Sequence, residues 1–98
     1  MLYESQIEAT VVRRALQELG IFSVKMRGVE RGWPDRMFLL PKGRVLWIEF
    51  KRPGGAVAAY QTLIHERLQH FEHVVQVHDN VDVALRAIEK AKNDGKVK

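Results

Sequence analysis

Residues 45–51 constrain the fold of this chain more than any other segment. Their sequence, VLWIEFK, is apolar on both faces over its first half, and turn-forming prolines and glycines bound it on each side. A strand of this kind must be covered on both faces, as it is in the middle of a sheet that lies between helices. The segment therefore predicts a layered α/β domain with this strand near the centre of the sheet.

The remaining pattern predicts the other elements of a single domain over residues 1–98. Apolar residues at helical spacing indicate helices over residues 5–19 and 56–69 and after the capping residue Asn80. Strands are predicted at 21–26, 35–40 and 73–77. The first three strands form an antiparallel meander, and a right-handed crossover returns the fourth as a parallel neighbour, so the sheet is mixed, with helices on both faces. Residues 90–98 carry four lysines and little to bury, so we expect a frayed basic tail.

Composition excludes several classes of protein. Cysteine is absent, which rules out a disulfide framework, a thiolate zinc site and a cysteine nucleophile. No apolar run approaches the ~20 residues of a membrane span, and the first residues lack the pattern of a signal peptide, so we expect an intracellular, cytoplasmic protein with no membrane partner. The formal net charge of +4 permits a nucleic-acid partner without requiring one.

Two carboxylates and a lysine are predicted to converge in this sheet. Alternation along the strand sets Glu49 and Lys51 on one face. A hairpin turn at residues 41–44 would bring Asp35, at the start of the preceding strand, beside them. Alternatively, Asp35 is an ordinary turn residue after a proline. Glu49 and Lys51 could also form a simple ion pair, worth ~1 kcal/mol or less if exposed.

Such a set of side chains suits a hard divalent cation. Mg²⁺ prefers oxygen ligands and usually takes one or two protein carboxylates together with several waters. A cation bound to a phosphodiester polarises the phosphoryl oxygen and lowers the pKa of a coordinated water. A neighbouring ammonium group can orient that water or stabilise the charge that develops at phosphorus. We therefore expect Mg²⁺ or Mn²⁺ as the cofactor, and no nucleotide cofactor.

The arrangement Pro34-Asp35 … Glu49-Phe50-Lys51 resembles the PD-(D/E)xK nuclease superfamily. Within it, the chain is similar to the VRR-NUC (virus-type replication-repair nuclease) family. Four features carry that resemblance: the Gly32-Trp33-Pro34-Asp35 loop, the one-strand spacing to Glu49, the glycine pair after Lys51, and the helical Gln61. The resemblance covers most of the chain and implies a restriction-endonuclease-like αβββαβ core.

The resemblance also implies roles for individual residues. Asp35, Glu49 and the backbone carbonyl of Phe50 would bind the metal, and Glu8 would bind it directly or through water. Asp35, Glu49, Lys51 and Gln61 would form the catalytic set, with Gln61 positioning the water or supporting the lysine. Family members act on branched DNA. Small stand-alone versions resemble Holliday junction resolvases, pair as homodimers and occur in bacteria and phage-infected cells.

Several of these residues also have a simpler interpretation. Glu8 fits a capping box with Ser5, and Gln61 could be a solvated helix residue. Trp33 and Trp47 are expected to pack in the core, although Trp33, in a loop, could stack on a base. The histidine spacing does not favour zinc. Six basic side chains in loops around the carboxylates are predicted to bind DNA phosphates: Arg27, Arg31, Arg36, Lys42, Arg44 and Arg52.

The function predicted from the sequence is a metal-dependent endonuclease that acts on branched DNA as a C₂ homodimer. A symmetric junction needs two cuts and one small domain holds one site, so two copies are required. The alternatives are a flap or single-strand nuclease, a DNA-binding module with an inactive site, and a metal-free partner-binding domain.

Overall fold

The computed structural model describes residues 2–94. The elements follow the predicted order: α1 (Glu4–Leu19), β1 (Ser23–Lys25), β2 (Arg36–Leu39), β3 (Val45–Phe50), α2 (Ala59–His70), β4 (Val74–His78) and α3 (Val81–Asn93). A short 3₁₀ turn, Pro41–Gly43, joins β2 to β3. No helix in this part of the chain is long and apolar enough to cross a membrane.

The sheet has the strand order β1-β2-β3-β4. The pairs β1–β2 and β2–β3 are antiparallel, whereas β3 and β4 run parallel because α2 carries the chain from one to the other. The strand β3 therefore has a neighbour on each side, and five of its six residues are buried. The predicted α/β architecture, with its mixed sheet and central strand, is confirmed.

The two faces of the sheet are covered differently. On one face, α1 and α3 pack over Phe38, Leu46, Ile48 and Phe50 to form the larger core. On the other face lies α2, which buries Trp47 beneath Ile64 and Leu68. Because neighbouring residues of a strand point to opposite faces, Glu49 and Lys51 share the α2 face with Trp47.

The capping box predicted for the start of α1 is wrong. The helix begins at Glu4, with Tyr3 as its N-cap, and the side-chain Oε1 of Gln6 accepts a hydrogen bond of 2.7 Å from the Tyr3 N–H. The box expected from Ser5 and Glu8 does not form, because the Glu8 carboxylate turns towards cations on β1 and β2.

The end of α3 also differs from the prediction. The helix continues to Asn93, and Ala91 is buried, so residues 90–93 do not fray. Arg44 donates to the carbonyl oxygens of Ala91 and Lys92, and Lys92 donates to the Leu19 carbonyl at 2.7 Å. These contacts satisfy carbonyls that would otherwise be unpaired at helix ends. Residues 95–98 of the predicted tail lie outside the described residues.

Candidate active site

The hairpin of β2 and β3 brings Asp35 next to Glu49. The register pairs Arg36 with Ile48, so the next step along the hairpin sets Asp35 opposite Glu49. One carboxylate oxygen of Asp35 accepts a hydrogen bond of 2.7 Å from the Phe50 N–H. The structure therefore brings together the two acidic groups that the alternation and the turn predicted.

A glycine lets the loop before Asp35 approach α2 closely. Gly32 has φ of 105°, and a Cβ there would lie 2.7 Å from the carbonyl oxygen of Tyr60. A side chain at this position would collide with the helix backbone, and the backbone conformation itself favours glycine. The close approach places Trp33 against Trp47, with ring centroids 5.6 Å apart, and buries Pro34 just ahead of Asp35.

Gln61 connects the three elements of the site. Its Oε1 accepts hydrogen bonds of 2.9 Å from the Lys51 ammonium and from the Ala58 N–H, and its Nε2 donates to Glu49 at 2.8 Å. The first bond orients the lysine, the second caps the start of α2, and the third fixes the glutamate. The interpretation of Gln61 as a solvated helix residue is therefore wrong, because its side chain is buried with all three partners.

Glu49 carries an incompletely compensated charge. It is 2% exposed, and its Oε2 is 3.2 Å from the Lys51 ammonium. Its Oε1 is buried without any hydrogen-bond partner. Burial, together with repulsion from Asp35, raises the pKa of Glu49 to about 7, against the opposing influence of Lys51 and Gln61. A buried acceptor of this kind costs about 1–3 kcal/mol unless a partner arrives.

Asp35 is also held in an environment that disfavours its charged form. Burial raises the pKa of Asp35, and the Phe50 N–H bond and Lys25 counteract this only in part, while Glu8 adds repulsion. The Lys25 ammonium stands 4.0 Å from the second carboxylate oxygen. Two neighbouring carboxylates with raised pKa values together provide the negative charge that a divalent cation would neutralise.

The donor set fits a hard cation held by two carboxylates and one carbonyl. The Phe50 N–H faces β2, so its carbonyl faces β2 as well. The register sets Pro34 opposite Phe50, and proline has no N–H to donate to that carbonyl. Within residues 2–94 there is no group of three or more acidic or histidine side chains close enough to share a metal ion. Two carboxylates are nevertheless sufficient for Mg²⁺, which completes its sphere with water and substrate oxygens.

Glu8 is on the other side of Lys25 from Asp35 and is held by cations. Its oxygens accept bonds of 2.8 and 2.9 Å from Lys25, and one of them also accepts a bond of 2.7 Å from the Arg36 guanidinium. In this arrangement Glu8 can reach a metal only through water, or after Lys25 and Arg36 release it. Its predicted role as a ligand stays a prediction.

The six basic residues predicted to bind DNA do not form one cluster. Arg27 and Arg52 are exposed. Arg52 directly follows Lys51, and Arg27 directly follows Met26, whose N–H donates to the Asp35 carbonyl. Arg31 lies with its guanidinium carbon 4.0 Å from the centre of the Tyr60 ring. Arg36, as described above, is bound to Glu8.

The prediction that all six flank the site is wrong for Lys42 and Arg44. Both lie at the β2–β3 turn, which is the end of the hairpin away from Asp35 and Glu49. There Arg44 holds the end of α3.

His65 is a buried polar residue of the site that the sequence analysis did not select. It lies one helical turn after Gln61 and is 7% exposed, and its Nε2 has no hydrogen-bond partner. Burial lowers the pKa of His65, and the nearby charge of Lys51 lowers it further. Its spacing of four residues from Gln61 was the available signal, because such residues share one side of a helix.

The comparisons with known proteins support one assignment. No family model matches the chain. The protein named "Putative nuclease p44", of Acyrthosiphon pisum secondary endosymbiont phage 1, is 33% identical over 84 residues, which are 86% of this chain and 90% of that protein.

Two solved structures share the fold. One, "VRR_NUC domain protein", superimposes with a TM-score of 0.79 at 18% identity, covering 99% of this chain and 93% of that one. Another, "VRR_NUC domain", has a TM-score of 0.71 at 24% identity, covering 88% and 94%.

The restriction-endonuclease-like fold and the paired strand carboxylates define a domain of the PD-(D/E)xK type. Because a phage relative matches at this identity along most of the chain, and the VRR-NUC structures match its fold, the chain belongs to the VRR-NUC family of nucleases.

Proposed function

We propose that the chain is a Mg²⁺- or Mn²⁺-dependent endodeoxyribonuclease that hydrolyses phosphodiester bonds in branched DNA, as a Holliday junction resolvase does. One observation supports this most directly: the buried Glu49, with one unpartnered oxygen, lies beside a second charged carboxylate and is bonded to Gln61 next to a lysine. A purely structural core would not retain such an arrangement, because each buried charge costs several kcal/mol without full compensation.

Asp35, Glu49 and the Phe50 carbonyl would hold the cation. When bound, the cation supplies charge neutralisation at the phosphate and a water of lowered pKa. Lys51 lies next to Glu49 with its ammonium group held by Gln61, so it is placed to stabilise charge that develops on the phosphate. Gln61 keeps both groups in place, which preserves the geometry between the ligand and the lysine.

Branched DNA as the substrate is consistent with the size and charge of the chain. The net charge of +4 and the exposed Arg27 and Arg52 near the site favour a phosphate backbone. A four-way junction requires two symmetric cuts and each chain offers one site, so the active form would be a C₂ homodimer. Light scattering that finds only monomer under conditions of full junction cleavage would contradict the dimer.

Cleavage of a panel of labelled DNA substrates tests the proposal. The panel contains a four-way junction, a flap, a continuous duplex and a single strand, each incubated with Mg²⁺, with Mn²⁺ or with a chelator. We expect metal-dependent cleavage, with the junction cut faster than the duplex. Faster cutting of the flap or the single strand would support nuclease activity and contradict the preference for four-way junctions.

Lys51→Ala distinguishes the enzyme from a DNA-binding module with an inactive site. The enzyme would lose cleavage and keep DNA binding, whereas a binding module would not cleave even as the wild type. Calorimetric titration with Mn²⁺ then separates both from a metal-free domain. The metal site is supported if the wild type binds Mn²⁺ and the Asp35→Ala variant does not. A wild type that binds no Mn²⁺ would contradict it.

A further inference from the structure

A second concave surface lies along α2, beyond the carboxylates. It is a cleft of about 180 Å³ lined by Glu30, Trp33, Ile64, Arg67, Leu68 and Phe71, and we call it the Trp33 cleft. Ile64 and Leu68 are buried and form its floor, whereas Phe71 is 73% exposed and forms an open wall. Phe71 therefore extends the apolar floor into a contiguous exposed apolar surface, and surfaces of this kind mark interaction sites.

We propose that the Trp33 cleft binds an unpaired nucleobase of the DNA strand that is cut. The position of this base relative to the scissile phosphate rests on the function proposed above, and the binding itself does not. The occupant is inferred from the shape of the cleft, its chemistry and its connection to the carboxylates.

The volume and the lining fit a single flat ring system. The cleft is smaller than the ~300 Å³ at which typical small-molecule pockets begin, so it does not accept a whole cofactor. Trp33 and Phe71 both line the cleft, and every base has a π-face that can stack on an aromatic ring. On the rim, the Glu30 carboxylate can accept a hydrogen bond from the exocyclic amino group of a base.

The charge around the cleft fits the backbone that would carry the base. Arg67 lines the cleft, and Arg31, two residues before Trp33, lies over the ring of Tyr60, the residue that precedes Gln61. A cation in the lining of an aromatic cleft favours a nucleic-acid strand over an apolar protein segment. A docked protein helix would also need a longer groove with several anchoring positions.

The cleft and the carboxylates are joined by the same elements. Trp33 precedes Asp35 by two residues, and Trp47, which Trp33 contacts, precedes Glu49 by two. Along α2 the two sites are separated by the rise from Gln61 to Leu68, ~10 Å. That corresponds to about three nucleotide steps of a stacked strand. A base that enters the cleft therefore belongs to the strand that crosses the carboxylates.

The proposal predicts a preference among DNA structures. A base in a continuous duplex is paired and stacked, and extruding it costs a few kcal/mol. Flaps, gaps and the centres of junctions offer bases without this cost. The Trp33 cleft would therefore bias the enzyme towards strands with an unpaired base close to the cut.

Binding of two single strands that differ only in their bases tests the cleft. One is an oligodeoxycytidylate of about 12 nucleotides, whose bases carry an exocyclic amino group, and the other is the same sugar–phosphate backbone without bases. Fluorescence anisotropy is measured in a chelator, so that no cleavage occurs and the result does not depend on nuclease activity. We expect the wild type to bind the strand with bases ~10-fold more tightly.

Phe71→Ala is the decisive variant, because this side chain is exposed and its removal leaves the core intact. It should lose most of the preference for bases while its affinity for the abasic strand stays unchanged. Phe22→Ala, which removes a 65% exposed phenylalanine before β1, is the matched control and should behave as the wild type.

Equal losses on both strands, no loss at all, or the same loss in the Phe22→Ala control would each overturn the proposal. If equal losses coincide with loss of a dimer in sedimentation, the occupant of the cleft is a second copy of the chain. A separate measurement tests the proposed nuclease function: a wild type without metal-dependent cleavage would contradict that function and leave the binding result for the cleft unaffected.

Discussion

The two faces of the sheet show how one small domain separates stability from chemistry. On the α1–α3 face the buried side chains are apolar, and none of the buried polar groups that the structure describes lies there. The α2 face carries all four of those groups: Glu49, Lys51, Gln61 and His65. Close packing on the first face supplies the free energy of folding. It allows the second face to hold a buried carboxylate with one unpartnered oxygen.

The strand β3 contributes to both faces at once. Its alternate residues Leu46, Ile48 and Phe50 face the larger core, and Trp47 and Glu49 face α2. Residues that are adjacent in sequence therefore should respond to substitution in opposite ways. Changes on the α1–α3 face should lower stability, whereas changes on the α2 face should lower activity.

Glu49→Gln should show the largest effect. Loss of a charged ligand is expected to reduce metal-dependent cleavage about 1000-fold or more, because the charge that holds the cation disappears. The free energy of unfolding in chelator should not fall, since the amide removes a buried charge of nearly the same shape. Single-turnover cleavage and urea unfolding measure the two quantities. Glu66→Gln, an exposed acid on α2, is the control. A strongly destabilised Glu49→Gln variant would contradict the separation of stability and chemistry between the two faces of the sheet.

Phe38→Ala should show the opposite behaviour. This side chain is fully buried between α1, α3 and the sheet, so its truncation should lower the free energy of unfolding by about 3–5 kcal/mol. Cleavage per folded molecule should stay near that of the wild type. Phe22→Ala, which removes an exposed ring of the same type, should cost ~0.5 kcal/mol or less. Equal losses in the two variants would mean that Phe38 does not contribute core packing.

The pH dependence of stability should identify Glu49 directly. Because its pKa rises from 4.5 to about 7 on folding, the folded chain keeps a proton that the unfolded chain releases. Stability in chelator should therefore decrease as the pH rises through this window, by about 3 kcal/mol at ~1.4 kcal/mol per pKa unit. His65 and His78, whose pKa values are lowered by burial, act in the opposite direction, and Asp35, whose pKa is raised by burial, acts in the same direction. The contribution of Glu49 is therefore measured as the difference in the free energy of unfolding between wild type and Glu49→Gln, from urea unfolding across pH 4.5–7. The absence of any difference would show that Glu49 titrates normally.

Gln61→Ala should have the smallest effect of the four. It removes the bonds that hold Lys51 and Glu49, so we expect cleavage to fall ~10–100-fold, an effect typical of residues that orient metal ligands. A small loss of stability should accompany this, because the Ala58 N–H loses its acceptor. Gln69→Ala, on the exposed side of α2, is the matched control. A Gln61→Ala variant with full activity would show that the lysine keeps its place without the glutamine.

Local rules were sufficient for the fold and for the main acidic pair. Alternation along residues 45–51 set Glu49 and Lys51 on one face, and the turn at residues 41–44 required Asp35 to return beside them. Both inferences need only strand geometry and one hairpin, so they depend on short stretches of chain. The order of the elements and the cap at Asn80 follow from equally local patterns.

Local rules could not predict which partners the charged side chains bind. Glu8 has one local interpretation as a capping residue, yet it binds Lys25 and Arg36, which lie 17 and 28 positions away in the chain. Arg44 contacts α3 rather than flanking the carboxylates, and the same contact orders a segment that composition alone predicts to fray. A charged side chain takes whichever partners the packed elements bring within reach, and those distances exist only after folding.

Periodicity and turn chemistry act over a few residues, so the amino-acid pattern was sufficient to predict the architecture, the central strand and the pairing of two carboxylates with a lysine. Four features emerge only in the folded chain: Glu8 is engaged by cations, Arg44 contacts α3, His65 is buried near Lys51, and a cleft forms between Trp33 and α2. Those features come from long-range packing, in which the free energy depends on groups that no local pattern relates to one another.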